Sequence, residues 1–419
     1  VDRFSCFCYE IRMRPAGRIL FVTEKFPHPK DDGGQIRSFH VLAALASAFP
    51  VTLVSHDAPS AADEDAVRSL GVEVTTCGRK PPAWSTPWFA AQALVTRDPY
   101  PMRKNFSRAI LRTVRARIAA GDVRALHLNH LDAAQYVEHL GEDRAKARVV
   151  FDTHNLLARM YERFAATDRN PLRRAYTTIQ WWRMARFEPA ILRAVDRVLV
   201  CSDLERELVR VAGAGHAMVV PNGVEVGAHG GVRMRDPRAS SEPPTILFTG
   251  GLAYAPNAEG VRWFVVEVLP ELRKLLPRFR FVVVGKGAPA SLRALAVPGE
   301  IEFAGWVEDV GAELARADLS VAPLRVGGGT RIKILESMAA GVPVVATRVG
   351  AEGIDAKDGE SILLADEPAA MARAIADLAR DAPRARRIAA AARELVAARY
   401  DWPKVLEPLV EEYRSISDA

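Results

Sequence analysis

Short, unbroken apolar runs alternating with helical stretches constrain this chain more than any other feature. The first is Arg18–Glu24 (RILFVTE). Val51–Asp57, Val72–Gly78, Ala125–His130, Arg148–Asn155, Arg197–Asp203 and Ala217–Gly223 follow, all rich in Val, Leu or Ile. The rhythm then restarts with Thr245–Gly250, Phe279–Gly285, Ile301–Val307, Leu319–Leu324, Pro343–Thr347 and Ser361–Ala365. A strand with one wet face alternates apolar and polar residues, whereas a strand covered on both faces reads as a continuous apolar run. Runs of this kind separated by helices predict parallel sheets with helices on both sides, the α/β class.

At 419 residues the chain exceeds one ordinary core, which favours two domains. Residues 227–244 (GAHGGVRMRDPRASSEPP) lose the apolar period and have a linker composition. The expected organisation is an N-terminal Rossmann-like domain over 17–226, this linker, a C-terminal Rossmann-like domain over 245–399 and a helical segment over 400–419. The helix candidate is Tyr400–Ile416; its return to the first domain is an option the sequence leaves open. Residues 1–16 read as a disordered extension, with Met13 as the expected natural start. Two doubly wound domains would place a cleft between their carboxyl-end loops, where such sheets bind ligands.

Composition narrows the function classes. With 49% hydrophobic and 26% charged residues the chain reads as soluble and globular. A net charge of +6 fits a protein that handles phosphates or acidic lipid surfaces. Without an RNA-binding signature or zinc spacing, that charge is too small to argue for nucleic acid. Cys6, Cys8, Cys77 and Cys201 form neither a metal spacing nor a disulfide framework, so a reducing, cytoplasmic compartment is expected. No run of eighteen apolar residues occurs.

The most informative stretch is Val326–Thr347 (VGGGTRIKILESMAAGVPVVAT). Three glycines precede a helix expected to begin near Thr330, and Gly341 is placed to end it. Helix-start N–H groups there can face an anion, with Arg331 and Lys333 adding positive charge, so a diphosphate is the natural guest. Glu336 sits on the same helix among Ile332, Ile334, Leu335 and Met338. A carboxylate on a buried helix needs a partner. Two remain open: a local ion pair with Lys333 three residues earlier, or the paired hydroxyls of a ribose.

This stretch, VVPNGV at Val219–Val224 and FAGWVED at Phe303–Asp309 resemble family 4 retaining glycosyltransferases of the GT-B fold, over nearly the whole chain from Arg18 onward. The resemblance implies two facing Rossmann-like domains with a cleft between them. It implies transfer of a sugar from a nucleotide-sugar, which is a substrate and not a cofactor, with retention and no metal. It assigns Glu336 to the nucleotide ribose. The family's second glutamate, eight positions earlier, is replaced here by Gly328, so either the amides of Gly328, Gly329 and Thr330 hold the sugar or the donor differs. The family's Arg and Lys after the first strand of the second domain are missing from GGLAYAPNAEGVRW; Arg331 and Lys333 are the substitutes, and Gly251 is the tight turn near the phosphates. Trp306 and Asp309 fall in the base-binding loop, Gly33 and Gly34 in the glycine loop near donor phosphate and acceptor, and His154 at the strand end that contacts the donor sugar. Asp31 and Asp32 read as a solvated turn.

The acceptor is not legible beyond an unknown glycan or lipid-linked molecule, as in cell-envelope or polysaccharide assembly. Arg103–Arg117 carries six basic residues and no acid, with apolar residues at helical intervals. It reads as a solvated helix face or as contact with the inner face of a membrane. Arg173–Arg186, with Trp181 and Trp182, is open between acceptor contact and core packing. Rival readings are a sugar-nucleotide epimerase or hydrolase, a dehydrogenase (Gly285–Gly287 falls short of the dinucleotide motif) and a degenerate ligand-binding protein.

Overall fold

The computed structural model describes residues 17–77, 98–167, 170–229 and 242–418. The expected extension over 1–16 and residues 230–241 of the expected linker lie outside the described residues. Two parallel sheets account for the apolar runs. The first contains β1 (Arg18–Thr23), β2 (Val51–Ser55), β3 (Glu73–Thr76), β4 (Val123–Asn129), β5 (Arg148–Asp152), β6 (Arg197–Val200) and β7 (Ala217–Val219), in the order β3-β2-β1-β4-β5-β6-β7. The second contains β8 (Thr245–Thr249), β9 (Arg280–Val284), β10 (Ile301–Gly305), β11 (Leu319–Ala322), β12 (Val344–Ala346) and β13 (Leu363–Leu364), in the order β10-β9-β8-β11-β12-β13. The fold is α/β and GT-B.

Both faces of the first sheet are dry. Along β1, Leu20 and Val22 join one apolar cluster and Ile19 and Phe21 the other. Helix α1 (Gly33–Ala48) covers the second face with Val41, Leu42 and Leu45. On the opposite face α2 (Arg108–Ala119) buries Ile110, Val114 and Ile118. That helix belongs to the expected basic run, and its apolar side is core. Arg115 pairs with Asp143 at 3.1 Å and Arg117 with Glu73, so two of the run's basic residues are partnered by acids of the same domain. The hairpin of α3 (Leu157–Thr167) and α4 (Pro171–Ala194) extends the same side, and α5 (Asp203–Val211) links β6 to β7.

The second sheet is built alike: Phe248, Phe281 and Val321 point into one cluster, Leu247 and Val282 into another. Helix α6 (Ile332–Ala339) follows β11 and buries Ile334, Leu335 and Met338. The chain then returns. Asp401 bridges Val224, and α7 (Trp402–Asp418) packs Trp402, Leu409 and Tyr413 against the face of the first sheet that α1 covers. The Tyr413 hydroxyl lies 2.6 Å from His127 Nδ1, on the central strand β4.

Candidate functional site

Sheet order decides where a site can form. It reverses between β1 and β4 and again between β8 and β11, and ligands of open parallel sheets bind beyond the strand ends at such points. A cavity of about 780 Å³ lies there, walled by both domains. Of the residues expected at the site, Gly33, Gly34, His154, Gly251, Trp306, Gly328, Thr330, Arg331, Lys333 and Glu336 line it. Gly329 and Asp309 are not on its wall.

The wall from the second domain centres on the start of α6. An α-helix leaves its first N–H groups without intrahelical acceptors, and the macrodipole makes that end positive. Arg331 is the N-cap residue, in extended conformation and without a side-chain cap bond. Its Nη1 donates to the Gly329 carbonyl at 3.1 Å, while buried Nε and Nη2 have no partner among the described residues. A guanidinium keeps its charge, so two unanswered donors on a cavity wall invite an anion. Lys333 donates to Asn257 Oδ1 at 2.8 Å and stands 4.0 Å from the Phe248 ring centroid. Gly250, not Gly251, is the tight position: φ is +138° and a Cβ there would fall 2.5 Å from Lys333 Nζ, while a Cβ on Gly251 would meet nothing within 4 Å. Glu336, one turn beyond Lys333, is half-buried on the wall.

Burial pulls the Lys333 ammonium down to about 7, with Arg331 pushing the same way and Glu336 opposing. A bound diphosphate would restore the positive charge. The free site therefore has a lower lysine pKa than the occupied one, and binding takes up a proton between those two values. Nucleotide-sugar affinity is expected to be full below pH 7 and to fall by up to about tenfold per pH unit above it. Calorimetry at pH 8 in buffers of different ionisation enthalpy should show proton uptake; none would mean that Lys333 does not face the ligand's charge.

The wall from the first domain carries a second helix start. Gly33 and Gly34 open α1, capped by Asp32, whose Oδ1 accepts from the Gln35 amide at 2.9 Å. They are thus helix positions and not a loose glycine loop. Gly33 faces Ile332 of α6: a Cβ on it would sit 3.6 Å from Ile332 Cδ1. Two positive helix ends therefore converge on one cavity. Beneath them Arg37 and Asp152 form a pair at 2.8 Å with 1% and 0% of their side chains exposed. Arg37 also donates to the Val220 carbonyl at 2.8 Å, tying α1 to β5 and β7.

His154 lies just beyond β5 with φ +53°. Its Nε2 is 2.9 Å from Asn129 Oδ1. Asn129 Nδ2 donates to Thr23 Oγ1 and Ser38 Oγ, and those hydroxyls donate onward to the carbonyls of Lys25 and Gly34. The amide orientation is thereby fixed, Nε2 carries the proton, and Nδ1 keeps a lone pair. Burial, reinforced by Arg37, His130 and His127 against Asp152, holds the ring near 3, so it is neutral. The neutral ring can accept a hydrogen bond at Nδ1 and is not charged to act as a general acid.

Sequence reasoning passed over His130. It follows β4 as His154 follows β5, and its φ of 72° and ψ of 160° belong to a region normally kept for glycine. Its Nδ1 is 2.9 Å from Asp132 Oδ2, and Asp132 Oδ1 accepts from Asn105 at 2.9 Å. Burial lowers the His130 pKa, but Asp132 outweighs it and the net shift is upward. Both line the cavity, and strand-end position was the available signal.

The glycine run is clamped between the domains. Glu205 of α5 accepts from the Gly329 amide at 3.0 Å, and a Cβ on Gly329 (φ +72°) would be 2.6 Å from the His154 carbonyl oxygen. Asn222 donates its backbone N–H to Thr330 Oγ1 and its side-chain amide to the Thr330 carbonyl. The expectation that Gly329 offers its amide to a sugar is corrected: that donor is already used. Gly328 faces Asn155, whose Cβ a side chain would meet at 3.3 Å, so the position of the absent glutamate is crowded by the first domain. Arg159 and Arg163 of α3 reach Glu352 at 2.9 and 2.6 Å, and Lys286 pairs with Asp31 across the cleft. Asp309 is exposed at the start of the helix after β10, so Glu308 stands on the wall in its place. Trp306 is 63% exposed, a broad apolar face at the rim.

Among the described residues no group of three or more His, Cys, Asp or Glu side chains is arranged to hold a metal ion, and no helix is long and apolar enough to cross a membrane. Comparison with known proteins gives two family matches: a glycosyl transferase 4-like domain over residues 32–223 and a glycosyl transferases group 1 domain over 243–381. A phosphatidyl-myo-inositol mannosyltransferase of Mycobacterium leprae is 31% identical over 234 residues, which is 54% of this chain and 60% of that protein. The Mycobacterium tuberculosis protein of that name is 28% identical over 328 residues, 75% of this chain and 80% of its own length. Among solved structures, Anabaena HepE in complex with UDP and glucose covers 95% of this chain and 100% of its own, with 15% identity and a TM-score of 0.68. Sucrose-phosphate synthase from Thermosynechococcus elongatus covers 96% of this chain and 99% of its own, with 18% identity and a TM-score of 0.71.

Proposed function

The chain belongs to the family 4 glycosyltransferases of the GT-B fold, and from that premise we propose that it moves a hexosyl group from a nucleoside-diphosphate sugar to a hydroxyl of a lipid-linked or glycan acceptor, with retention and without a metal. The carrying observation is Arg331: two buried, unanswered guanidinium nitrogens beside Lys333, at a helix start on the wall of an interdomain cavity. Negative charge grows on the leaving diphosphate as the glycosidic bond breaks, so donors fixed in advance lower the barrier. The second helix start at Gly33 and Gly34 closes over that charge from the other domain. Glu336 accepts from the ribose diol, Trp306 stacks on the base, and His154 Nδ1 accepts from a sugar hydroxyl. The acceptor enters along the His130 and Asp132 side. The cross-domain contacts of Glu205, Asn222 and Arg163 hold the cleft shut, which excludes water and limits donor hydrolysis.

The names of the mannosyltransferase relatives support a lipid acceptor, with mannose and phosphatidyl-myo-inositol as the first donor sugar and acceptor to try. A thermal-shift screen of UDP-, GDP- and ADP-sugars, followed by nucleotide release with and without acceptor, tests the reading. Turnover that ignores every acceptor would point to a hydrolase or epimerase instead. Replacing Glu336 with Ala is expected to weaken nucleotide-sugar binding by about 1.5–3 kcal/mol through loss of charged hydrogen bonds to ribose. Unchanged affinity in the folded variant would leave Glu336 only its electrostatic role beside Lys333.

A further inference from the structure

Helix α4 has two unlike sides. One is inward: Gln180, Met184, Glu188, Ile191 and Leu192 are buried. Leu172, Ala175, Ile179, Trp182 and Arg186 follow one another at steps of three and four, so they share the outer stripe. Leu172 is 82% exposed, Ile179 39% and Trp182 65%. A shallow, apolar cavity of about 450 Å³ is set into this stripe between Pro171, Ala175, Ile179 and Trp182. Large apolar side chains in such a run on a surface mark a contact.

Charge chooses the partner. Arg173, Arg174, Arg183 and Arg186 accompany the stripe, and no acidic residue occurs from Asn170 to Phe187. Two copies meeting here would bring arginines against arginines. An anionic lipid surface matches the charge, accepts the apolar residues and suits a tryptophan at the boundary between water and acyl chains. We propose that the outer stripe of α4 seats the protein on an anionic lipid surface. The inner side of the same helix reaches the site. Glu188 accepts from the amides of Leu157 and Ala158 at 2.8 and 3.1 Å, capping α3 directly after His154 and Asn155. Trp182 precedes Glu188 by six residues, about 9 Å along the helix. A surface held at the stripe would lie next to the first-domain wall of the cavity, where a lipid-linked acceptor must arrive. The proposal deepens the acceptor reading above and rests on it for its purpose, but not for its test.

The test is co-sedimentation of the full chain with vesicles of phosphatidylcholine alone and of phosphatidylcholine mixed equally with phosphatidylglycerol. Binding is expected to the mixed vesicles, to fall in high salt, and to weaken by about tenfold or more both in Leu172→Ser/Ile179→Ser/Trp182→Ser and in Arg173→Glu/Arg174→Glu/Arg186→Glu. These positions are outward-facing, so circular dichroism should be unchanged. Calorimetric binding of nucleotide-sugar should be unchanged too; its absence in every form, wild type included, would count against the proposed function and leave the docking result standing. Serine variants that bind vesicles as well as wild type, equal binding to both vesicle types, or a solution dimer dissolved by the same substitutions would each overturn the proposal.

Discussion

Arg331→Ala is expected to lower kcat for sugar transfer by about 10²–10³-fold, the loss typical of removing one fixed donor from a developing negative charge. Arg331 lines the cavity from the start of α6, and its buried Nε and Nη2 have no partner among the described residues, so no other described protein group relies on them. Folding stability should change little, whereas loss of the third contact, to the Gly329 carbonyl, loosens one loop bond. Arg331→Lys should fall between wild type and alanine, because an ammonium keeps the charge and loses the planar fork. Steady-state nucleotide release with a saturating donor reads the effect. A loss below about threefold would remove the diphosphate from this end of α6 and with it the proposed orientation of the donor.

The second large effect concerns folding. Arg37→Ala is expected to destabilise the first domain by about 3–5 kcal/mol, because it strands the Asp152 carboxylate without its partner in a dry interior. Asp152 accepts from Arg37 Nε and Nη2, and Nη1 also serves Val220 and Asn222. A paired replacement, Arg37→Met with Asp152→Leu, should recover most of that loss, since an apolar pair leaves no orphan charge. Urea denaturation of the two variants beside wild type measures both. A single-variant loss under about 1 kcal/mol would mean that water reaches the pair.

The two sheets were legible because each strand is covered on both faces, and a short apolar run is the direct mark of that. Strand ends were less so. Arg148–Asn155 was read as one run, yet β5 stops at Asp152, and Ile301–Val307 stops at Gly305. The overruns include residues that line the cleft: His154 and Asn155 in one case, Trp306 and Val307 in the other. They look strand-like because the cleft floor is itself buried or flanked by apolar residues. The helix at Ile332–Ala339 and its end at Gly341 (φ +72°) follow from local glycine chemistry, which sequence carries well. The Glu205–Gly329 and Asn222–Thr330 contacts span 124 and 108 positions, and no local pattern announces them. For that reason Gly329 was expected at the ligand when its amide is spoken for. Arg37 was hidden likewise: its partner Asp152 lies 115 positions away, and only that contact across the fold explains it.

The return of α7 bears on how the molecule is made. Its Trp402, Leu409 and Tyr413 complete one face of the first sheet, and Tyr413 reaches His127 on the central strand. During synthesis the part of that face that α1 does not cover stays open until the residues of α7 have left the ribosome. The first half of the chain therefore waits on the last, while the second sheet already has all its strands. A nascent chain halted before Trp402 should present a sticky, protease-sensitive amino-terminal half tethered to a finished carboxyl-terminal one.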